Sequence, residues 1–266
     1  MESICFVYCD HTAGTGTTSA GEAITVAAIT RMATAIDRQL NAEVADEWGG
    51  CCAWRIGLSD GTDVDPSKGE VEMAVFQHAD IAGAAGYHSA TPTGQPYGRL
   101  FLDECTGLFS GGLPLSVIGS HEGIETKLDP GANRYATRAD GITQDAIEGC
   151  DAVEDVTYAA GAEGDGAGEN VPVSDFLLQS AFDPGAPAPY SYRDALVGQY
   201  DTTPGGYRIV QKIAVDVSTA GHSVQATAGF HVEVEKHPTT PFTAMQIKRK
   251  THPSSRTVRR GLNLRP

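Results

Sequence analysis

The sequence predicts a protein of the α/β (α+β) class, with a mixed sheet, one long backing helix and a C-terminal β-hairpin. Residues 4–8 form a continuous apolar run, and residues 52–56 and 71–76 are largely apolar, which is typical of buried strands. Between the first two runs, apolar residues recur at every fourth position, as they do on one face of a helix. Residues 207–215 and 223–235 alternate between apolar and polar side chains, which predicts two paired strands joined through residues 219–222.

The long helix is the most clearly patterned element. Ser19 and Glu22 have the spacing of a capping box, whose hydroxyl and carboxylate satisfy free backbone N–H groups at a helix start. Gly49 and Gly50 predict the end of the helix, because glycine commonly follows the last helical residue. We expect the apolar stripe to belong to the core, and it consists of Ile24, Ala28, Met32, Ile36, Leu40, Val44 and Trp48.

A further strand is predicted at residues 99–103. Pro96 and Gly98 precede it, so we expect it near a sheet edge, where a missing backbone donor is tolerated. Residues 83–97, which are rich in glycine, proline and threonine, predict a loop before this strand.

The composition favours a globular protein outside the membrane. The 266 residues are 41% hydrophobic and 20% charged. No apolar run approaches the roughly 20 residues that a membrane-spanning helix needs, so we expect no membrane partner. Glu2 stands where a secretory signal would carry basic residues, and we therefore expect synthesis in the cytoplasm.

The six cysteines do not form a C-x-x-C pair, which excludes a zinc ribbon and a thioredoxin-like motif. We expect buried free thiols, with disulfides as the alternative if the finished protein meets an oxidising medium. The cysteines are Cys5, Cys9, Cys51, Cys52, Cys105 and Cys150.

Charge is distributed very unevenly along the chain. The net charge is −15, yet residues 236–266 contain eight Lys or Arg and no acid. Residues 1–235 therefore carry 11 basic against 34 acidic groups, a net charge of −23. A basic tail on an acidic body suits docking on a negative partner, although a solubilising tail is the simpler interpretation. The candidate partner-binding residues are Lys248, Arg249, Lys250, Arg256, Arg259 and Arg260.

One short motif carries candidate chemistry. His121 and Glu125 are four residues apart, so they share one face of a helix and could hold a cation together. Glu122 follows the first ligand, where zinc peptidases place their general base. The motif H-E-x-x-E is weaker than one with two histidines, and a solvated helical face ending at Asp129 is the alternative.

The order of the predicted elements supports the interpretation of this motif as a metal site. A strand, a long helix, two strands and an edge strand precede the His121 helix, which is the order of the zincin fold. Several segments further resemble zincin-like proteins encoded by tailed bacteriophages, which typically read Ser-His-Glu, two residues, Glu, then Asp-Pro, with a later Glu-x-x-Asp. The resemblance spans roughly residues 70–210, and its segments are residues 120–130 with Asn133, 146–151, 171–176 and 204–207.

The resemblance implies a metal site. It makes His121 and Glu125 metal ligands, with zinc as the expected ion, and Glu122 the catalytic base. Glu148 would be the third ligand, because a glutamate on a helix has the reach, and Asp151 is an alternative ligand or an orienting partner. Gly123 costs the helix about 1 kcal/mol relative to alanine, which leaves open that the site is degenerate.

Three functions follow as expectations. The favoured one is a virion structural protein of the phage head or head–tail region, made in the host cytoplasm, present in many copies and docked on other virion proteins. The alternative is an active zinc metallopeptidase, for which His78, His88 and Tyr135 are candidates for oxyanion stabilisation, each with a simpler structural role. Nucleic-acid binding by the tail is not favoured, since no aromatic residues alternate with its basic ones.

Three regions are expected along the chain. A zincin-like domain would cover residues 1–160 and a β-rich extension residues 161–235. The basic docking tail would cover residues 236–266.

Overall fold

The computed structural model describes residues 4–160, 170–220 and 223–236, and within it a five-stranded mixed sheet forms the centre of the molecule. Four strands run parallel and β4 runs antiparallel at one edge, in the order β2-β1-β3-β5-β4. The strands are β1 (Ile4–Asp10), β2 (Cys52–Ile56), β3 (Glu70–Phe76), β4 (Gly86–Ala90) and β5 (Pro96–Phe101). The mixed α/β class is therefore confirmed, as are the three apolar strands.

The edge of the sheet differs from the prediction. The segment predicted as a loop at residues 83–97 contains β4, and β4 is the edge strand. The strand predicted at residues 99–103 begins earlier, at Pro96, and lies between β3 and β4. Pro96 fits there because it is the first residue of its strand. All five residues of β4 are buried although four of them are small or polar, which is why apolar patterning misses the strand.

The long helix is broken in the middle and starts later than predicted. It comprises α1 (Val26–Arg38), a π-helical turn (Gln39–Glu43) and α2 (Val44–Trp48). The predicted capping box is wrong: Thr25 is the N-cap, and its side chain accepts a hydrogen bond from the backbone N–H of Ala28. Ser19 instead donates to the carbonyl of Cys105, and Glu22 accepts from the N–H of Leu108.

The predicted apolar stripe does form the core. Met32, Ile36, Leu40 and Val44 are at most 1% exposed and pack in the main hydrophobic cluster. Gly49 ends the helix with φ of +72°, as the sequence predicts. This helix therefore covers one face of the sheet.

The second helix, α3 (Leu115–Leu128), is buried at every one of its 14 residues. Glycine makes this close packing feasible, because a Cβ on Gly119 would lie only 3.1 Å from Ile36 and 3.2 Å from Met32. Gly123 faces Ile36 as well, at an ordinary 3.5 Å. Glycine lowers the stability of a helix relative to alanine, but in α3 it permits a tight contact with α1.

Two polar anchors hold the π-helical turn against the rest of the molecule. Lys127 on α3 donates through Nζ to the carbonyls of Leu40, at 2.7 Å, and Gly50, at 3.1 Å. Gln39 donates through Nε2 to the carbonyl of Ser174, at 2.8 Å. The turn therefore fixes the position of α3 relative to α1 from the C-terminal end of both helices.

Two smaller sheets complete the described part of the chain. A four-stranded sheet has the order β11-β10-β7-β6, and β8 pairs with β9. These strands are β6 (Tyr135–Thr137), β7 (Thr143–Ala146), β8 (Thr157–Ala160), β9 (Val171–Ser174), β10 (Tyr207–Ala220) and β11 (Ser223–Lys236). The strands β10 and β11 pair antiparallel from Tyr207 opposite Lys236 to Ala220 opposite Ser223. Residues 221–222 and the basic segment 237–266 lie outside the described residues.

A charged network joins three strands of the four-stranded sheet. Arg138 donates to both carboxylate oxygens of Asp145 on β7, at 2.7 and 2.8 Å, and to Glu235 on β11 at 2.7 Å. Arg208 on β10 lies 3.7 Å from Asp145. Because β7 leads directly into residues 147–151, this network anchors the loop that approaches α3.

The cysteine prediction is confirmed in part. All six cysteines are free thiols; Cys9, Cys105 and Cys150 are buried, whereas Cys51 is exposed. Burial raises the pKa of Cys9 and of Cys105 to about 12, so both stay protonated at neutral pH.

Among the described helices, none combines the length and the apolar character that crossing a membrane requires.

We expect Gly86→Ala to destabilise the fold. A Cβ on Gly86 would lie 2.7 Å from Ile118, 3.0 Å from the carbonyl of Arg99 and 3.1 Å from Glu122. Such overpacking typically costs about 1–3 kcal/mol, which urea denaturation would measure as a lower free energy of unfolding. Gly112→Ala is the matched control, since a Cβ there meets nothing within 4 Å. Equal stability of both variants would contradict this close approach of α3 to β4.

Candidate metal centre

Three side chains of the centre, from His121, Glu122 and Glu125, come from one turn of α3. His121 and Glu125, at positions i and i+4, are brought together as predicted, with 3.3 Å between His121 Nε2 and Glu125 Oε1. Glu122 lies on the same turn and is 1% exposed. The alternative of a solvated helical face is therefore wrong, because this face is buried.

Asp151 reaches the same histidine from a loop. It begins a short 3₁₀ turn, Asp151–Val153, and its Oδ1 lies 3.3 Å from His121 Nε2. Gly149 lets this loop lie against α3, since a Cβ there would come within 2.6 Å of Leu128. The backbone N–H of Cys150 also donates to Glu125 Oε1, at 3.3 Å. The loop thus delivers Asp151 and helps to orient Glu125.

Glu148 lies near His88 and not, as the sequence suggests, beside His121. It is not on a helix, because residues 147–150 form an irregular connection after β7. Its nearest histidine is His88, with 3.7 Å between Glu148 Oε2 and His88 Nε2. Of the two residues proposed for the third position beside His121, the geometry brings Asp151 closer.

His88, which the sequence offers only as a candidate for oxyanion stabilisation, is a member of the buried cluster. It lies on β4, and its side chain is 3% exposed. Its Nδ1 is 3.4 Å from Glu125 Oε2 and 3.6 Å from Glu122 Oε2. Recognising β4 as a strand next to the motif helix would have placed His88 here, because it shares a strand face with Gly86, which contacts α3.

The distances around His121 fit a metal ion. Zinc lies about 2.0–2.1 Å from nitrogen and oxygen ligands, so neighbouring ligand atoms in a tetrahedral site are roughly 3.3–3.4 Å apart. The distances from His121 Nε2 to Glu125 Oε1 and to Asp151 Oδ1 are both 3.3 Å. His121 Nε2 is buried and makes no well-aligned hydrogen bond in the described part of the chain, so its contacts with the two carboxylates are those of a charge pair or of ligands around a shared ion.

The electrostatics of the cluster also involve its histidines. Burial by itself lowers the pKa of an imidazole, since it disfavours the charged form. The Glu122 and Glu125 carboxylates outweigh burial at His88 and raise its pKa to about 9. Glu125 and Asp151 outweigh burial at His121 and raise its pKa to about 10. Without a metal, both imidazoles therefore hold a proton at neutral pH, and a binding ion has to displace it.

A hydrogen bond from a neighbouring strand fixes the motif helix. Ser120 Oγ accepts from the backbone N–H of Ser174 on β9, at 2.7 Å, and this bond holds α3 against β9. Within α3 itself, Thr126 Oγ1 donates to the carbonyl of Glu122, at 2.6 Å.

Of the other predicted site residues, His78 and Tyr135 belong to neither group of side chains that could hold a metal. The side chain of His78 is 81% exposed, and its Nδ1 is 3.0 Å from Asp103 Oδ2 on the surface. Tyr135 is on β6, paired with Ala146. The six basic candidates for partner binding fall within residues 237–266, outside the described residues.

Comparison with known proteins leaves the family of this chain open. No family model matches it, and neither the curated proteins nor the solved structures compared with it give a match. The resemblance to zincin-like phage proteins therefore stays a prediction from the sequence.

Proposed function

We propose that this protein holds a divalent metal ion through His121, Glu125 and Asp151, in a zincin-like centre of hydrolytic type. The observation that carries the proposal is the convergence of two carboxylates on His121 Nε2, each at 3.3 Å, inside the protein. Mixed nitrogen and oxygen ligands suit zinc, which is the expected ion. The side chains are 1–5% exposed, so water competes little for the ion.

The proposed chemistry is hydrolysis of a peptide or another amide. Because the side chains of the centre are only 1–5% exposed, a substrate would reach them only when the elements around α3 open. Bound zinc supplies a Lewis acid that polarises a carbonyl and lowers the pKa of water. Glu122 is the proton acceptor, since its carboxylate lies on the same turn as both helical ligands and its Oε2 faces the cluster, 3.6 Å from His88 Nδ1. Two carboxylates and one imidazole leave the centre near neutral or negative, which makes the zinc a weaker acid than a three-histidine site would.

The zincin-like comparison rests on the layout around the helix. The antiparallel edge strand β4 lies against α3, and α1 backs the same sheet. In the proposed architecture the antiparallel strands β10 and β11 form the C-terminal β-hairpin.

The structural role in a phage virion remains a prediction. The uneven charge supports it, since residues 236–266 are basic and residues 1–235 carry a net charge of −23. Deleting residues 236–266 tests whether this segment docks on other virion proteins. We expect the deletion to prevent incorporation into particles, and normal incorporation would overturn the docking role.

Elemental analysis of the purified full-length protein tests the metal centre. We expect zinc in the native protein and its loss from the His121 site in a His121→Ala, Glu125→Ala double variant. His78→Ala is the matched control, because it removes a surface histidine and should keep the metal. Absence of metal from the folded native protein, after growth and purification with added zinc, would overturn the proposal.

A further inference from the structure

We propose that a second divalent cation binds next to the first, between His88 Nδ1, Glu122 and Glu125, so that Glu125 bridges two ions. The inference rests on the proposed metal centre and extends it from one ion to two. It assigns a role to His88 and Glu148, which the one-ion centre does not use.

Glu125 has the orientation of a bridging carboxylate. Its Oε1 faces His121 Nε2 at 3.3 Å, whereas its Oε2 faces His88 Nδ1 at 3.4 Å. Each oxygen therefore points toward a different histidine. A carboxylate that gives one oxygen to each of two ions is compatible with the separation of about 3.5–4 Å found in two-metal sites.

The second group of atoms has the spacing of a ligand set. His88 Nδ1 lies 3.4 Å from Glu125 Oε2 and 3.6 Å from Glu122 Oε2. One ligand atom from each of the three residues lies within 4.8 Å of the other two, and all three residues are buried. These distances are close to the roughly 3.3–3.4 Å between neighbouring ligands of a small divalent ion.

Glu148 is placed to orient His88. When one nitrogen of a histidine binds a metal, the other usually donates to a carboxylate, a carbonyl or a water. The other ring nitrogen, His88 Nε2, lies 3.7 Å from Glu148 Oε2. This nitrogen is buried and makes no hydrogen bond in the described part of the chain. At 3.7 Å this contact is a charge pair rather than a hydrogen bond, and it assigns Glu148 as a positioning residue for His88. Asp151 keeps its role as a proposed ligand beside His121.

The charge of the cluster favours two ions over one. Four carboxylates lie within the buried group, from Glu122, Glu125, Glu148 and Asp151. Charges buried away from water are costly unless they are paired or coordinate a metal. Two divalent ions would balance four carboxylates and leave both imidazoles neutral, whereas one ion would leave an excess of negative charge.

The second ion would change the role of Glu122. In the one-ion form its carboxylate is available to accept a proton. In the two-ion form the same carboxylate is a ligand and no longer available for that step. The occupancy of the His88 site thus sets whether the proposed hydrolytic centre is active.

Metal stoichiometry tests the inference on the full-length protein. The native protein and variants are refolded with excess Mn²⁺, freed of unbound ion, and analysed by elemental analysis and electron paramagnetic resonance. We expect two ions in the native protein, with a magnetically coupled spectrum, and one uncoupled ion in His88→Ala. In Glu148→Gln we expect affinity for the second ion to fall about 10–100-fold with the first unchanged. His78→Ala should match the native protein.

The possible results distinguish a failure of the second site from a failure of the first. One uncoupled ion in the native protein, retained in His88→Ala and lost in His121→Ala, would overturn the second site and leave the proposed centre intact. No ion in any folded sample would overturn both. If His88→Ala does not fold, as judged by circular dichroism, the native spectrum decides, because only two adjacent ions give magnetic coupling.

Discussion

Asp151→Ala is expected to weaken binding of the ion at His121 by about 100-fold or more. Asp151 Oδ1 lies 3.3 Å from His121 Nε2, so its removal takes away one of three proposed ligands. Structural zinc binds with about 10–16 kcal/mol, which is roughly 3 kcal/mol per ligand in a four-ligand site. Titration with a competing chelator of known affinity, at fixed pH, would measure the loss.

Glu148→Ala is the matched control for that experiment. It removes a buried carboxylate from the same loop, but one that lies beside His88 rather than His121. Affinity at the His121 site should therefore change far less than in Asp151→Ala. The reverse ranking would restore Glu148 as the third ligand, as the sequence suggests.

The stability of the metal-free protein is expected to fall as pH rises from about 6.5 to about 10. An unperturbed histidine has a pKa near 6.5. In the folded protein the surrounding carboxylates raise the pKa of His88 to about 9 and of His121 to about 10. Both protonated imidazoles thus stabilise the fold below about pH 6.5, and this stabilisation is lost as they deprotonate. The total change is on the order of several kcal/mol.

Metal affinity should change in the opposite direction over the same range. Because the ion displaces the proton of His121, its affinity is expected to rise about tenfold per pH unit until the pKa is reached. Urea denaturation of metal-free and zinc-loaded protein at several pH values would measure both trends. His121→Ala should flatten the metal-free profile, whereas His78→Ala should reproduce the native one. A flat native profile would mean that the imidazoles are not protonated within this cluster.

The sequence predicts most of the framework that carries the centre. Apolar patterning is reliable where a whole element is apolar on one face, as in β1, β3 and the stripe of α1. Helical spacing likewise brings His121 and Glu125 together, since residues four apart share a face. Local rules thus account for the half of the site that lies on α3.

The other half depends on contacts that are distant in sequence. His88 belongs to a strand whose small and polar residues carry no apolar pattern, and its place is set by β5 and α3. Glu148 and Asp151 lie on an irregular loop. The assumption that Glu148 is on a helix therefore cannot decide which of the two is the third ligand at His121. Ser19 matches a capping box, yet its hydroxyl bonds to Cys105, 86 residues away, and tertiary structure overrides the local signal.

The burial of the centre has a kinetic consequence. The six side chains that converge there are only 1–5% exposed. While the surrounding residues stay in place, they block the path of an ion between the centre and the solvent. Exchange has to wait for a local opening of the elements around α3, and such openings become rarer as the folded state becomes more stable. The protein would therefore take up its ions while it folds, and a chelator would strip them at the pace of opening rather than of diffusion.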